Sequence, residues 1–387
     1  MSLVRERVAW FDELNEEEGL RVRCRVAPAP TAHRDPPGVP GLAAMRDELE
    51  SAPALFRPSK FWDDLGSLHL AHLENAEGFA SFKRSINLFY FQFLPNGRHP
   101  ELFRAALRRF CARPTPRVLT GRLENRGPLA HPEAPDFTKR RVAKLYALYV
   151  AILWENVRRM DRHGVLERLE EPLLGHPLGV RYRGRLLSQD LCNSAHELAR
   201  ILDGIRSPLP DSPLMLELGS GYGRLAWAAL EALSGARYVL VDIPPALAIA
   251  QRYLTELYPR LPVFRFRRFE DGDAAAEELA GSRIAFLTPN QLEQLPPLGA
   301  DVGINISSLD EMRPDQIRRH LELMDLHTSG AFYTKQWRRW RNPRDDVVIA
   351  EEDYPYPAHW RRRFERPHPL QPEFFEALFE TREARDA

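Results

Sequence analysis

Leu214-Met-Leu-Glu-Leu-Gly-Ser-Gly-Tyr-Gly-Arg224 is the stretch that decides the fold: a short apolar strand runs straight into a glycine-rich turn that opens a helix. Three glycines alternate at 219, 221 and 223. Without Cβ atoms, such a turn lets a ligand lie against the backbone, and the helix that follows offers free N–H groups to an anionic end of that ligand. A nucleotide-like cofactor is implied, because alternating glycines are entropically costly in a turn that holds nothing. The dinucleotide fingerprint needs a small residue at position 224 for close helix-to-strand packing, and Arg224 stands there, which disfavours NAD or FAD. The next strand closes on Tyr238-Val-Leu-Val-Asp242. A carboxylate at the C-terminal edge of a second strand suits a ribose, since it accepts two hydrogen bonds from vicinal hydroxyls.

Outward from this stretch, short apolar strands alternate with helices. Strands are expected at 214–218, 238–241, 284–287, 302–306 and 331–333, and helices at 222–233 and 246–257. That alternation predicts an α/β fold with a doubly wound, Rossmann-like parallel sheet. Before it the texture is mostly helical. Residues 136–163 carry Val142, Leu145, Tyr146, Tyr149, Ile152, Leu153, Val157 and Met160 at three- and four-residue steps, with Gly164 at a natural C-cap. Leu102, Phe103, Ala106, Leu107 and Phe110 repeat the pattern. A Pro-rich break at 27–40, a punctuated segment at 113–135 and a Pro/Gly-rich connector at 171–184 read as loops. Ser188-Gln-Asp-Leu then supplies an N-cap serine and an early acid for a helix over 188–202. Two regions are expected: a helical lid or dimerisation region over 1–187, compatible with a homo-oligomer, and the sheet domain over 188–387.

Composition narrows the function classes. The chain has 387 residues, room for two or three domains. Lys plus Arg equals Asp plus Glu at 54 each, so bulk attraction to nucleic acid or an anionic membrane is not expected and any anion must be bound locally. Cys24, Cys111 and Cys192 are too few and too scattered for a disulfide framework or a metal knuckle, which makes a reducing, cytoplasmic setting the expectation. The longest apolar stretch, 145–154, is half the ~20 residues of a membrane span and reads as a buried helix.

The spelling of an acid followed by GxGxG resembles motif I of the class I S-adenosylmethionine-dependent methyltransferases, with Glu217, Gly219, Gly221 and Gly223 in register. A narrower resemblance rests on five blocks: Glu171-Pro-Leu-Leu-Gly-His-Pro, Ser188-Gln-Asp-Leu-Cys-Asn-Ser194, Glu217-Leu-Gly-Ser-Gly-Tyr-Gly-Arg-Leu, Asp242-Ile-Pro-Pro-Ala-Leu-Ala-Ile-Ala-Gln-Arg-Tyr-Leu254 and Ser307-Ser-Leu-Asp-Glu-Met312. Together they are similar to a sugar O-methyltransferase family found beside polysaccharide and natural-product pathways. The resemblance implies S-adenosylmethionine as cofactor, transfer to a sugar hydroxyl, and a cofactor site at Glu217, Gly219, Ser220, Gly221, Tyr222, Gly223, Asp242, Ile243 and Ser307.

Methyl transfer to a hydroxyl needs donor and acceptor held in line and a base for the hydroxyl proton. Glu311 and Asp310, after the fourth strand, are candidates, although the same acids serve equally as a helix start ahead of Pro314. His196 is a further candidate, against which stands the usual fate of a lone helical histidine in a core. Asn290 and Gln291 follow the third strand, where amides could read an adenine or merely form a turn. As the resemblance suggests, Ser188, Gln189, Asp190 and Asn193 could close over the methionine end of the cofactor, with Gln189 and Asn193 reaching the acceptor, or the four serve as a bare capping signal. Trp337, Tyr354 and the neighbouring Trp340, Tyr356 and Trp360 offer faces for a sugar ring, or pack as a C-terminal flap. No metal spacing stands out, so no metal is expected. Two rivals remain: the same chemistry on a non-sugar hydroxyl, and a non-catalytic partner with a methyltransferase fold.

Overall fold

In the computed structural model, β6 (Leu214–Leu218) is buried at every position and lies at the centre of an eight-stranded sheet. The structure describes residues 4–5, 9–10, 34–36, 38–74, 77–84, 100–112, 119–127, 136–206, 208–342, 344 and 346–382. Most of the loops expected at 27–40 and 113–135, the side chain of Leu102, and Cys24 lie outside these residues. Within Met1–His33, β1 (Val4–Arg5) pairs antiparallel with β2 (Ala9–Trp10).

Residues 34–387 form one compact unit. It begins with α1 (Leu42–Ser51), α2 (Lys60–Leu73), α3 (Pro100–Cys111), β3 (Arg122–Leu123), α4 (Arg140–Met160) and α5 (Val165–Arg168). A hairpin of β4 (Val180–Tyr182) and β5 (Arg185–Leu187) precedes α6 (Gln189–Gly204). The hairpin occupies the end of the connector expected to be loop. Arg183 at φ 51° and Gly184 at φ 80° close it, both central residues being left-handed as a type I′ turn requires.

The sheet region continues with α7 (Arg224–Ala232), β7 (Arg237–Val241), α8 (Ala246–Leu257), β8 (Val263–Phe264), α9 (Gly272–Ala280), β9 (Ile284–Leu287), α10 (Pro289–Glu293), β10 (Ala300–Ile306), α11 (Pro314–His327) and β11 (Thr328–Trp337). Then come the hairpin β12 (Arg339–Asn342) and β13 (Val347–Ala350), followed by β14 (Arg361–Pro367) and β15 (Phe374–Glu380). Strand order is β14-β15-β11-β10-β6-β7-β9-β8. All pairs from β11 to β8 are parallel; β15 runs antiparallel between β11 and β14.

Alternation along the strands loads both faces. Met215, Tyr238, Leu240 and Ile304 join a core with residues of α4, α6, α7 and α8, while Leu214, Leu216, Val239 and Val241 join a second with residues of α9 and α11. Central parallel strands with both faces covered are the doubly wound, Rossmann-like arrangement, with a mostly helical region before it. The chain leaves β6 toward β7 on one side and returns to β10 on the other, so strand order reverses at β6. A crevice opens at the C-terminal ends of β6 and β10, where such sheets hold ligands.

Beyond the aromatic segment at 337–360 the chain adds two sheet strands, β14 and β15, which the sequence reading does not expect. Phe-Phe-Glu-Ala-Leu-Phe-Glu is buried along nearly all its length and shows no alternation, since both faces of β15 are covered.

Candidate functional site

Register brings the ends of three strands to one level: Leu218 pairs with Val241 on one side and Asn305 on the other. Gly219 follows Leu218 and donates its N–H to Val241 O at 2.8 Å. Its φ of 75° favours glycine, and a Cβ there would collide with the Ser308 hydroxyl. The loop after β10 is therefore packed hard against the loop after β6. Asp242 ties in the third: Oδ2 accepts from Gly221 N–H at 2.6 Å and Oδ1 from Ile243 N–H at 2.7 Å. Burial pushes its carboxyl up to about 7, the two N–H bonds opposing.

These loops line one cavity. Gly219, Gly221 and Tyr222 come from the glycine turn, Asp242 and Ile243 from the end of β7, and Ser307, Ser308 and Glu311 from the end of β10. The opposite wall is Phe56, Arg57, Pro58, Ser59 and Trp62, from the start of α2 and the turn before it. Ser59 Oγ donates to Glu311 O at 3.0 Å, Gln316 Nε2 to Arg57 O at 2.8 Å, and Phe56 meets His320 edge-on. This wall and Ser308 escape the sequence reading, because nothing in the spacing around 56–62 distinguishes a cavity wall from a helix start.

Asp310 and Glu311 sit in a single tight turn, 309–311. Asp310 is 1% exposed, and neither carboxyl oxygen has a hydrogen-bond partner. Burial pushes it up. Burial raises Glu311 well above the usual carboxylate range, and the Asp310 charge adds to this, while a hydrogen bond from Trp62 opposes it. Two neighbouring buried carboxyls cannot both ionise cheaply, so the pair holds a proton near neutral pH. The buried Tyr354 hydroxyl is close enough to feel both charges.

Other sequence candidates lie elsewhere. Glu217, 3% exposed, accepts from the Tyr238 hydroxyl at 2.8 Å and is not in the cavity lining; burial pushes it up to about 8. Gly223 is the left-handed N-cap of α7. Ser220, also outside the lining, keeps a buried hydroxyl without a hydrogen-bond partner. Asn290 donates to Glu48 at 2.7 Å, and Gln291 caps α10 while donating to Arg267 O, so the cavity receives Pro289 instead. Gln189 and Asn193 are buried on α6, outside the cavity lining. Trp337 stacks on Trp340, and Tyr354 on Tyr356, packing against Phe374 and Phe375 of β15 respectively. His196 lies against His368, away from this cavity.

α6 supports the loops from behind. Its N-cap Ser188 accepts from Leu191 N–H and donates to Glu171, which also binds Lys83 at 2.7 Å. Tyr222 donates to Asp190 at 3.0 Å. Arg224, at the residue that excludes the dinucleotide fingerprint, donates to Ser194 at 2.9 Å and Glu197 at 2.5 Å, and Lys335 of β11 reaches Glu197 at 2.9 Å.

No protein-family model matches the chain, and no curated protein matches it. Among solved structures it is similar to the mitomycin 7-O-methyltransferase, at 16% identity over 49% of this chain and 56% of that one with a TM-score of 0.32. An O-methyltransferase family 2 protein from Planctomyces limnophilus, in complex with apigenin, matches at 14% identity over 49% and 58% with a TM-score of 0.33. The magnesium protoporphyrin IX methyltransferase of Synechocystis, with S-adenosylmethionine bound, matches at 14% identity over 48% and 82% with a TM-score of 0.28. The chain spans just over half the length of the first two.

Proposed function

We propose that this protein is an S-adenosylmethionine-dependent O-methyltransferase that methylates a hydroxyl of a sugar or glycoside. The observation that carries the reading is the cavity at the strand-order reversal, where the Asp242 carboxylate is pinned to the glycine turn by Gly221 N–H. The residues fit the cofactor: the Gly219 turn leaves no room for a Cβ, and two buried carboxyls stand by the crevice with oxygens lacking hydrogen-bond partners. When bound, S-adenosylmethionine supplies a methyl group activated by its sulfonium charge. Asp242 uses the lone pairs left by its two N–H bonds to accept ribose hydroxyls. Glu311 takes the acceptor's proton at its carboxylate, and Asp310 keeps that carboxyl basic. Phe56 and Trp62, as a lid, exclude water. The sugar rests on the sequence blocks alone, since Trp337 and Tyr354 pack against β15 outside the cavity lining. The apolar character of Phe56, Trp62, Ile243 and Met312 in the cavity favours a second acceptor class, an apolar small-molecule hydroxyl.

The test is calorimetric titration with S-adenosylmethionine and S-adenosylhomocysteine, with NAD as control, on the protein and Asp242→Ala. Saturable binding of the first two, weakened about 10- to 100-fold in the variant, is expected from loss of hydrogen bonds to a charged group. Absence of binding overturns the reading. Turnover on sugars against apolar alcohols then separates the acceptor classes, and binding without turnover on either favours the non-catalytic partner.

A further inference from the structure

A second cavity, of about 510 Å³, shares no lining residue with the first. It lies between the last turns of α3, α4 and α6 and the chain leaving β14. Its charged lining is Arg109, Arg159, Arg162, Arg200 and Arg366, joined by His368, and among the described residues no acid lines it. Several guanidiniums are anchored on one edge. Arg159 donates to Phe110 O at 2.9 Å, Arg200 pairs with Asp203 at 2.5 Å, and Arg366 Nε pairs with Glu376 at 2.8 Å. A guanidinium has five donors, and anchoring one edge fixes the direction of the rest. Arg366 Nη2 is buried without a hydrogen-bond partner.

His368 decides the sign of the ligand. It is 2% exposed, and its Nδ1 accepts from Gln371 N–H at 3.1 Å and Leu370 N–H at 3.4 Å. Accepting at Nδ1 leaves the proton on Nε2, which lies on the opposite edge of the ring and has no partner. Burial and the nearby cations Lys335, Arg109 and Arg366 keep the ring neutral. Nε2 is thus a buried donor in need of an acceptor. His196, His368 and Glu376 lie close enough to suggest a metal ion. A cation there would need the Nε2 lone pair that this tautomer lacks, and would sit beside Arg366 and Lys335. An anion meets neither objection, and the one carboxylate of the cluster, Glu376, is already paired with Arg366 and Arg200.

We propose that this arginine-lined cavity binds a small molecule carrying two or more phosphate groups, with the five guanidiniums spanning its charges and His368 Nε2–H donating to one oxygen. Bidentate guanidinium contacts are the usual means of holding such groups.

The probe is pyrophosphate, titrated calorimetrically into the full chain, with inorganic phosphate and zinc in parallel arms and S-adenosylmethionine binding as an independent control. Saturable pyrophosphate binding that weakens with added salt is expected. Arg162→Gln with Arg109→Gln should weaken it at least tenfold and leave S-adenosylmethionine binding and the unfolding midpoint unchanged. Arg162→Glu alone, at an exposed position, serves where the double variant fails to fold. No saturation at ~10 mM, well above the weakest specific affinities, overturns the proposal. So does binding indifferent to these variants, or zinc binding that pyrophosphate does not match. Phosphate binding as tightly as pyrophosphate overturns the assignment to a multiply phosphorylated ligand.

Discussion

At the scale of single residues, Asp242 combines two properties that pull on each other. Burial raises its carboxyl to about 7, yet ribose hydroxyls bond more strongly to the ionised form, which accepts on both oxygens. Binding therefore releases a proton, and affinity for S-adenosylmethionine should rise with pH up to about 7 and level off above it. Calorimetry across pH 5.5–8.5 reads this directly, and Asp242→Asn should flatten the curve while lowering affinity about 10- to 100-fold. Glu311→Gln keeps the shape and removes the base. It should lower kcat about 10²- to 10⁴-fold, the usual worth of a positioned base, with cofactor affinity retained. An unchanged kcat would assign the acid pair to a helix start and nothing more. The hydrogen bond from Trp62 favours ionised Glu311, so Trp62→Phe raises its pKa and should move the acidic limb of the kcat profile to higher pH.

At the scale of elements, the loops are held by an ion triad that joins α6, α7 and β11. Glu197 is fully buried; burial pushes its carboxyl up, but Arg224 and Lys335 outweigh this and hold it down at about 2. Removing the acid leaves two buried cations without their anion. Glu197→Gln should cost about 3–5 kcal/mol by denaturant unfolding, and a loss under 1 kcal/mol would show that water or other acids replace it. The triad was only half legible in sequence. Arg224 announced itself by breaking the dinucleotide spelling, and Ser188 by capping a helix. Glu197 and Lys335 stand 138 positions apart, and no local pattern relates them. The expected helix at 188–202 and strand at 284–287 match Gln189–Gly204 and Ile284–Leu287 because capping and a short apolar run are local signals. β15 carries the same signal, an apolar run interrupted by Glu376, but β14 has none: charged Arg-Arg-Arg-Phe-Glu-Arg-Pro becomes a strand only because β15 lies beside it.

At the scale of the whole molecule, buried titratable groups of opposite kinds set the pH range of stability. Burial holds Glu217 at about 8 and Asp242 at about 7, against usual values of 4.5 and 3.8, and raises Asp310 in the same direction. They keep protons that the unfolded chain has lost, so stability falls as pH rises from about 4 to 8. His196 at about 3, and His69, His320 and His327 at about 4, are held below 6.5 by burial. The unfolded chain binds their protons first, so stability falls as pH drops from 6.5 to about 4. Between about 4.5 and 6.5 the two effects oppose, and the unfolding midpoint should plateau there and fall on either side. A midpoint that climbs from pH 6.5 to 8 would contradict the buried carboxyls. Saturating S-adenosylmethionine should reduce the alkaline loss by drawing Asp242 into its charged form. Among the described residues no helix is long and apolar enough to cross a membrane, and the 145–154 stretch is buried within α4 except for Leu145 and Leu148.

The sequence by itself determined the alternation of strand and helix, the glycine turn and the acid after the second strand. These are short-range features, written in periodicity and in the steric freedom of glycine. Only the tertiary structure decided that Asp242 bonds Gly221, that Glu217 turns to Tyr238 instead of the cavity, and that the wall at 56–62 closes on Glu311. It alone gathered arginines from three helices and a strand around one cavity. The reason is the same in each case: these contacts join residues far apart in the chain, and packing of the two sheet faces, not local propensity, sets which of them meet.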